Sequence, residues 1–227
     1  MAARALSGPE QAHILAALEN SRDRLLVLAG VFLGFRISEL LSLQVADVWT
    51  ERHGPKREVT VSRRCLKGGQ GAHRRGVRSR TVPVHPVLAA AVQDHLHCIY
   101  PGQIPAPCDF LFPSRKGSGP ITRVQAYRIL KTAAGRGSDP TRVSTHSMRK
   151  TFAHSIYNLS VHDLLLTQRA LGHRSIATTT KYLETTPESV RAVIFQMPGP
   201  TSVIASCPEL TEPLPPVQAF PLTTLQA

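Results

Sequence analysis

Residues 171–183 read LGHRSIATTTKYL, and the rest of the chain is organised around this stretch. It places His173 nine residues before Tyr182. Gly172 follows apolar residues at helical spacing and is well placed to end a helix. A histidine and a tyrosine in such a segment are by themselves typical of packing, so their interpretation depends on residues elsewhere in the chain.

Three upstream segments supply cationic or ionisable side chains. GFRISELLSL at 34–43 contains Arg36 and Glu39. CLKGG at 65–69 contains Lys67, and THSMRKTFA at 145–153 contains His146 and Arg149 three residues apart. Two arginines, a lysine, two histidines and a late tyrosine are the groups needed to attack a phosphodiester, because cations neutralise the phosphoryl charge and the tyrosine supplies a nucleophile.

This ordered set resembles the tyrosine recombinase, or phage integrase, family, whose signature is Arg, Lys, His-x-x-Arg, His or Trp, and then Tyr. The resemblance covers roughly Leu6 to Met197. It implies an α+β fold, a mainly helical catalytic domain with a small antiparallel β-sheet. It also implies a set of catalytic residues, namely Arg36, Lys67, His146, Arg149, His173 and Tyr182, with Glu39 in a supporting role.

The resemblance further implies the chemistry of each group. Tyr182 would attack the phosphorus and leave a 3′-phosphotyrosine linkage, while Lys67 would protonate the departing 5′ hydroxyl. Arg36 and Arg149 would hold the non-bridging oxygens, since a guanidinium is a planar, permanently charged fork. His146 would help to move the tyrosine proton. Such a reaction requires no cofactor and no catalytic metal.

The charge distribution favours a polyanionic partner. The formal charge is +12, with 27 Lys and Arg against 15 Asp and Glu, and the pI is about 10.3. Charge alone does not distinguish DNA from RNA or an anionic membrane surface. No acidic residue occurs between Glu58 and Asp94, whereas arginines are crowded there. The expected DNA-binding residues are Arg63, Arg64, Arg74, Arg75, Arg78, Arg80 and Lys150.

Hydrophobic periodicity and capping residues predict the secondary structure. Ser7 and Glu10 form a capping-box pattern before a first helix, and residues 22–35 predict a buried helix. Residues 58–62 and 80–84 alternate as strands do. Further helices are expected after His85, after Thr122, after Ser144 or Thr145, and in the segment that begins at 160–163. A helical turn over 178–183 would present Tyr182, and a last helix would open at Thr186-Pro187.

Several classes of protein are disfavoured by the sequence. The longest apolar run, 25–35, is too short to span a bilayer, and the first ten residues have no secretory apolar core. We therefore expect a cytoplasmic, DNA-associated protein without a membrane partner. Four dispersed cysteines suit reduced thiols. His95, His97, Cys98 and Cys108 match no usual zinc spacing, so no metal site is expected.

The sequence also suggests a domain organisation and assembly. Residues 1–197 are expected to form the catalytic domain, and the proline-rich residues 198–227 a flexible tail. The family's N-terminal DNA-clamping domain is expected to be absent. By resemblance, the protein would act as a homo-tetramer on double-stranded DNA, with an accessory protein as a further option. Two alternatives stay open: a non-catalytic or accessory DNA-binding module of the same fold, and relaxation of supercoils as in type IB topoisomerases.

Overall fold

The computed structural model describes residues 3–61, 79–115, 117–136 and 140–183, all within one compact unit, Met1–Glu184. Helices predominate, as predicted. The helices run in chain order as α1 Gly8–Ala16, α2 Ser21–Leu33, α3 Ile37–Leu41, α4 Val45–Val48, α5 Pro86–Ile99, α6 Arg123–Gly135, α7 Thr145–Leu159, α8 Leu164–Leu171 and α9 Ile176–Thr180. The strands are β1 Trp49–Thr50, β2 Gly54–Pro55, β3 Glu58–Val61 and β4 Arg80–Pro83.

The strands pair as two short antiparallel ribbons, β1 with β2 and β3 with β4. The β3–β4 register places Val59 opposite Val82 and Val61 opposite Arg80. Side chains alternate along β3, so that Val59 and Val61 face the core while Glu58 and Thr60 are exposed. The predicted α+β fold with small antiparallel sheets is confirmed, although the β1–β2 ribbon was not predicted.

Helix α2 is the centre of the fold. Its sequence, SRDRLLVLAGVFL, is almost entirely apolar after the first turn, so it can be buried on several sides. Leu25 and Leu33 pack in the main core, which includes residues of α5 and of the β3–β4 ribbon. Val27 packs in a second cluster with residues of α1, α6 and α7. Because α2 packs in both clusters, its C-terminal end and the segment that follows it are held in a fixed position.

Polar caps define the helix ends in the way that the sequence predicted. The side chains of Ser7, Thr122, Ser144 and Asp163 accept hydrogen bonds from backbone N–H groups in the first turns of α1, α6, α7 and α8. Helix α8 ends at Gly172, whose φ of 64° is left-handed. The predicted caps at Ser7, Thr122 and Ser144 and the stop at Gly172 are confirmed, and the start predicted at 160–163 is capped by its last residue, Asp163.

Some expectations need correction. The helical turn expected at 178–183 is instead α9, Ile176–Thr180, and Tyr182 lies just beyond it. Outside the paired strands, the described residues contain two isolated antiparallel bridges, Gln44 with Phe110 and Pro113 with Pro120. The helix expected from Thr186 falls outside the described residues. Within the described ranges, no helix combines the length and apolar character required to cross a bilayer.

Candidate active site

The chain after α2 presents Arg36 together with its own carboxylate. Gly34 adopts a left-handed φ of 57° and turns the backbone, so that Arg36 becomes the N-cap of α3. Glu39, three residues later, accepts from the Arg36 guanidinium at 2.8 Å and from the Arg36 backbone N–H at 2.8 Å. Glu39 is buried at 1% exposure, whereas the Arg36 side chain is 32% exposed. A buried carboxylate thus holds one edge of a partly accessible guanidinium.

Arg149 lies one turn into α7 and connects three segments of the chain. It is 1% exposed. Its guanidinium donates to the backbone carbonyl of Gly34, to the carbonyl of Leu171 at 2.7 Å and to Nε2 of His173 at 3.0 Å. Because these partners lie at or just after the C-terminal ends of α2 and α8, Arg149 holds the Arg36 segment and the His173 segment together.

Arg80, expected to contact DNA, is instead a buried member of the same cluster. It is 9% exposed and donates to the carbonyls of Leu33 at 2.9 Å, Gly34 at 3.3 Å and Ala170. Its guanidinium also lies 4.9 Å from the centre of the Phe35 ring, within cation–π range. The physical reason for the correction is that β4 directs residue 80 inward, opposite the buried Val61.

The buried guanidiniums make this region strongly electropositive. Burial, and next the charge of Arg149, lower the pKa of Arg80 to about 9. Burial and the charge of Arg36 also lower the pKa of Arg149, while Glu39 acts in the opposite direction on both. The Nε atoms of Arg80 and Arg149 have no hydrogen-bond partner within the described part of the chain. An anion placed here would offset the cationic repulsion.

His173 follows the end of α8 and is held from both ring nitrogens. It is 7% exposed. Nε2 lies 3.0 Å from the Arg149 guanidinium, and Nδ1 lies 3.0 Å from the hydroxyl of Thr179. Burial, followed by the charges of Arg149, Arg36 and Arg80, lowers the pKa of His173 to about 4. The ring is therefore neutral at pH 7 in this arrangement.

Tyr182 packs beside this histidine. The centres of the two rings are 5.1 Å apart with an interplanar angle of 50°. The Arg149 guanidinium carbon lies 5.8 Å from the centre of the Tyr182 ring. The Tyr182 backbone N–H donates to the carbonyl of Thr179 at 2.9 Å, which fixes its position after α9. Tyr182 also packs beside the small core cluster of Phe152, Ala153 and Leu171.

His146 occupies the first turn of α7 and is exposed. Loss of hydration on its protein-facing side, followed by the charges of Arg149, Arg36 and Lys150, lowers its pKa. These influences place His146 at the electropositive region. Lys150, expected to contact DNA, is only 8% exposed, so that expectation is corrected: α7 turns residue 150 towards its own protein.

The structure brings together most of the predicted catalytic set: Arg36, Glu39, His146, Arg149, His173 and Tyr182. Lys67 lies outside the described residues, as do the expected DNA contacts Arg63, Arg64, Arg74, Arg75 and Arg78. Sequence reasoning missed the contact between Thr179 and His173. The available signal was the run of three threonines between His173 and Tyr182, of which one faces inward.

No metal-binding arrangement was found among the residues with described positions, where no three His, Cys, Asp or Glu side chains are grouped. His95, one of the four residues compared with zinc spacings in the sequence, is buried and uses both ring nitrogens within the core. Its Nδ1 lies 3.0 Å from the Ser21 hydroxyl, and its Nε2 lies 3.1 Å from the Leu111 carbonyl oxygen.

Comparisons with known proteins agree with this arrangement. The chain is 28% identical over 174 residues to the protein named "Probable integrase/recombinase YoeC" of Bacillus subtilis (strain 168), covering 77% of this chain and 83% of that protein. It is 31% identical over 172 residues to tyrosine recombinase XerD of Corynebacterium glutamicum, covering 76% of this chain but 51% of that protein. The chain thus spans about half the length of this recombinase.

A solved structure shows the same fold. XerH site-specific recombinase, in a post-cleavage complex with its palindromic difH substrate, is 25% identical, with a TM-score of 0.62 over 86% of this chain and 54% of that chain. The model of the phage integrase family matches residues 4–189. Since that match covers most of the 227 residues and includes every element around the arginine cluster, the chain belongs to the phage integrase family.

Proposed function

We propose that this chain is the catalytic domain of a tyrosine-type site-specific recombinase, which cleaves and rejoins DNA strands. One observation carries the proposal: Arg36, Arg149, His173 and Tyr182, from three separate parts of the chain, meet around buried positive charge. A phosphodiester carries negative charge that increases near the transition state. A tyrosine beside converging guanidiniums is suited to attack such a group.

In the proposed reaction, the Tyr182 hydroxyl oxygen attacks the phosphorus and loses its proton. A bond forms from that oxygen to phosphorus, and the bond from phosphorus to the 5′ oxygen of the next nucleotide breaks. The departing oxygen gains a proton and leaves as a 5′ hydroxyl. Because the phosphotyrosine ester keeps the bond energy, a second 5′ hydroxyl can reverse the step and rejoin the strand.

The arginines would bind the two non-bridging phosphoryl oxygens. Arg36 is held by Glu39 along one edge and is partly accessible, so the rest of its fork can reach a ligand. Arg149 is more deeply placed, and its buried Nε has no hydrogen-bond partner among the described residues. Both guanidiniums are positioned before any substrate binds, which reduces the reorganisation needed during the reaction.

The remaining groups would accept or donate protons during the reaction. His146, exposed beside the cluster with a lowered pKa, is suited to accept the Tyr182 proton near neutral pH. His173, neutral in this arrangement, would first hold Arg149 through Nε2. The negative charge of a phosphodiester would favour protonation of His173, after which Nε2 could donate to a phosphoryl oxygen. By family resemblance, Lys67 would protonate the leaving 5′ oxygen.

The assembly and domain assignments remain part of this proposal. Residues 1–197 would form the catalytic domain, acting on double-stranded DNA in the cytoplasm as a tetramer. Arg63, Arg64, Arg74, Arg75 and Arg78 would bind the phosphate backbone and make affinity strongly dependent on salt. The proline-rich residues 198–227 receive no assigned role.

The decisive experiment traps the covalent intermediate. The full chain is incubated with nicked "suicide" duplexes covering the DNA on either side of its gene, and products are separated on a denaturing gel. Wild-type protein should give a protein–DNA adduct, and Tyr182→Phe should give none. Tyr127→Phe is the matched control, because Tyr127 is an exposed tyrosine on α6 away from the cluster.

A parallel mobility-shift assay establishes which duplexes bind. Binding by the wild type without any adduct would contradict the proposal, and so would an adduct that persists in Tyr182→Phe. Loss of the adduct in Tyr182→Phe but not in Tyr127→Phe would identify Tyr182 as the nucleophile.

A further inference from the structure

Helix α9 contains three consecutive threonines that occupy different environments. Thr178 and Thr180 are exposed, whereas Thr179 is completely buried, with 0% exposure. The Thr179 hydroxyl lies 3.0 Å from Nδ1 of His173. This buried threonine therefore contacts a histidine of the candidate active site.

The partners of His173 determine which of its nitrogens carries the proton. A guanidinium has only donors, so Nε2, at 3.0 Å from the Arg149 guanidinium, must act as the acceptor. A neutral imidazole carries one proton, which then resides on Nδ1 and is donated to the Thr179 hydroxyl oxygen. Without that oxygen, the buried Nδ1–H group would have no acceptor in this arrangement.

Other buried threonines of the same chain show that this contact is not the default. Thr151 and Thr167 are equally buried, at 2% and 0% exposure. Each donates its hydroxyl to the carbonyl four residues earlier, Thr151 to Ser147 at 2.9 Å and Thr167 to Asp163 at 2.8 Å. That bond is the ordinary local solution for a threonine in a helix. Thr179 instead directs its hydroxyl to a side chain six residues earlier.

Thr179 has a second link, to the tyrosine. Its backbone carbonyl accepts from the Tyr182 N–H at 2.9 Å. One residue therefore fixes the ring of His173 through its side chain and the backbone of Tyr182 through its carbonyl. The two rings are 5.1 Å apart, so a change in one position will affect the other.

We propose that Thr179 is a positioning residue, which holds His173 as the Nδ1–H tautomer and thereby keeps Nε2 directed at Arg149 while Tyr182 stays beside it. The catalytic consequence rests on the function proposed above. The tautomer itself does not, because it follows from the donors and acceptors around the ring. The two parts can therefore be tested separately.

The first test is spectroscopic. The full chain is labelled with 15N-histidine, the His173 signals are assigned by comparison with His173→Gln, and the tautomer is read from the ring nitrogen shifts at about pH 7. Wild-type protein and Thr179→Ser, which keeps the hydroxyl, should carry the proton on Nδ1. Thr179→Val has nearly the same shape but no acceptor, so it should give mixed tautomers. Thr178→Val, on the exposed side of α9, is the matched control and should resemble the wild type.

The second test measures adduct formation on the nicked duplexes at saturating DNA. Thr179→Val should react about 10- to 100-fold more slowly than wild type. This range is the one seen when a metal-binding histidine loses the hydrogen-bond partner that orients it, and we expect a similar cost for His173. DNA affinity should change less than about 2-fold. Thr179→Ser should recover most of the rate, and Thr178→Val should match the wild type. This pattern is not expected from a general loss of stability, which would lower both binding and rate.

The outcomes separate the two proposals. A proton on Nε2 of His173 in the wild type would overturn the role of Thr179, even if Thr179→Val did not fold. Equal rates for Thr179→Val and Thr178→Val would overturn it as well. If the wild type bound DNA but formed no adduct, the proposed function would fail, while the nitrogen shifts would still decide whether Thr179 fixes the tautomer.

Discussion

Two helices in this protein end at a glycine of the same conformation, but the residues that follow these ends are held differently. Helices α2 and α8 both end at a glycine with a left-handed φ, Gly34 at 57° and Gly172 at 64°. Backbone carbonyls near both ends accept hydrogen bonds from Arg80 and Arg149. A candidate catalytic residue follows each glycine within two residues, so the two arginines align two parts of the site.

The difference lies in how the following residue is held. After α2, Arg36 is fixed by Glu39, which is three residues away in the sequence. After α8, His173 depends on Arg149 from α7, together with Thr179 from α9. The first end is therefore determined mostly by local sequence, whereas the second depends on tertiary contacts. This comparison predicts different responses to substitution.

The largest expected effect is that of a methyl group at the α2 end. A Cβ added to Gly34 would overlap a ring carbon of Phe152 severely, whereas one added to Gly172 would meet the Cδ of Arg80 at 2.9 Å, a milder overlap. Both alanines would suffer left-handed strain of about 1–2 kcal/mol. Overpacking adds about 1–3 kcal/mol at Gly34. We expect Gly34→Ala to lower the free energy of unfolding by about 2–5 kcal/mol and Gly172→Ala by about 1–2 kcal/mol.

Urea denaturation of the full chain measures both values. Gly135→Ala is the control, because Gly135 is exposed at the end of α6 and an added Cβ would meet nothing within 4 Å. That variant should be neutral or slightly stabilising. A larger loss in Gly172→Ala than in Gly34→Ala would show that the packing against Phe152 does not decide the difference.

The same contrast explains which features the sequence could predict. Caps are local signals: Ser7, Thr122 and Asp163 each act within three residues of their own position. The Arg36–Glu39 pair is local in the same sense and was predicted. The family signature then supplied the association of His146, Arg149, His173 and Tyr182, which spacing along the chain could not give.

Features that depend on distant contacts were missed or assigned wrongly. Arg80 stood in an arginine-rich stretch and was expected to face DNA, but its partners are 46, 47 and 90 residues away. Composition cannot reveal such partners. Val161 and His162 adopt positive φ values of 54° and 67°, which a β-branched residue rarely does and which no local signal predicted. Both residues lie in the short connection between α7 and α8, so their backbone conformation depends on how these two helices are joined.

A second test of the comparison uses pH and the α8 end. His173 has a folded pKa of about 4, below its usual value of 6.5. Between these values the unfolded chain binds more protons, so the contribution of His173 to stability is complete above about pH 6.5 and is lost as the pH falls to about 4. Wild-type protein should lose up to about 3 kcal/mol in that window that His173→Gln does not lose.

Urea denaturation at several pH values measures this difference. The variant is essential, because burial also lowers the pKa of His95 and His146, which contribute with the same sign in both proteins. Glu10, whose pKa is lowered to about 2 by Arg4, responds mainly below this window. Parallel curves for wild type and His173→Gln would mean that His173 is not held neutral by the arginine cluster.

A smaller effect on stability than that of His173 is expected at the α2 end, where Glu39→Gln keeps the side-chain shape but removes the negative charge. Breaking a fully buried ion pair costs about 3–5 kcal/mol. Arg36 is 32% exposed and stays hydrated, so we expect a loss nearer about 2 kcal/mol. The rate of adduct formation should fall about 10-fold or more, because the Arg36 fork would no longer be fixed in orientation.

Glu10→Gln offers a closely matched control for this prediction. Glu10 also accepts from the backbone N–H three residues earlier, that of Ser7, and pairs with an arginine, Arg4, but lies in α1 away from the cluster. It should lose stability and keep the wild-type rate of adduct formation. If Glu39→Gln behaved in the same way, its pair with Arg36 would be a helix cap only. A rate loss confined to Glu39→Gln would instead show that this local pair serves the reaction.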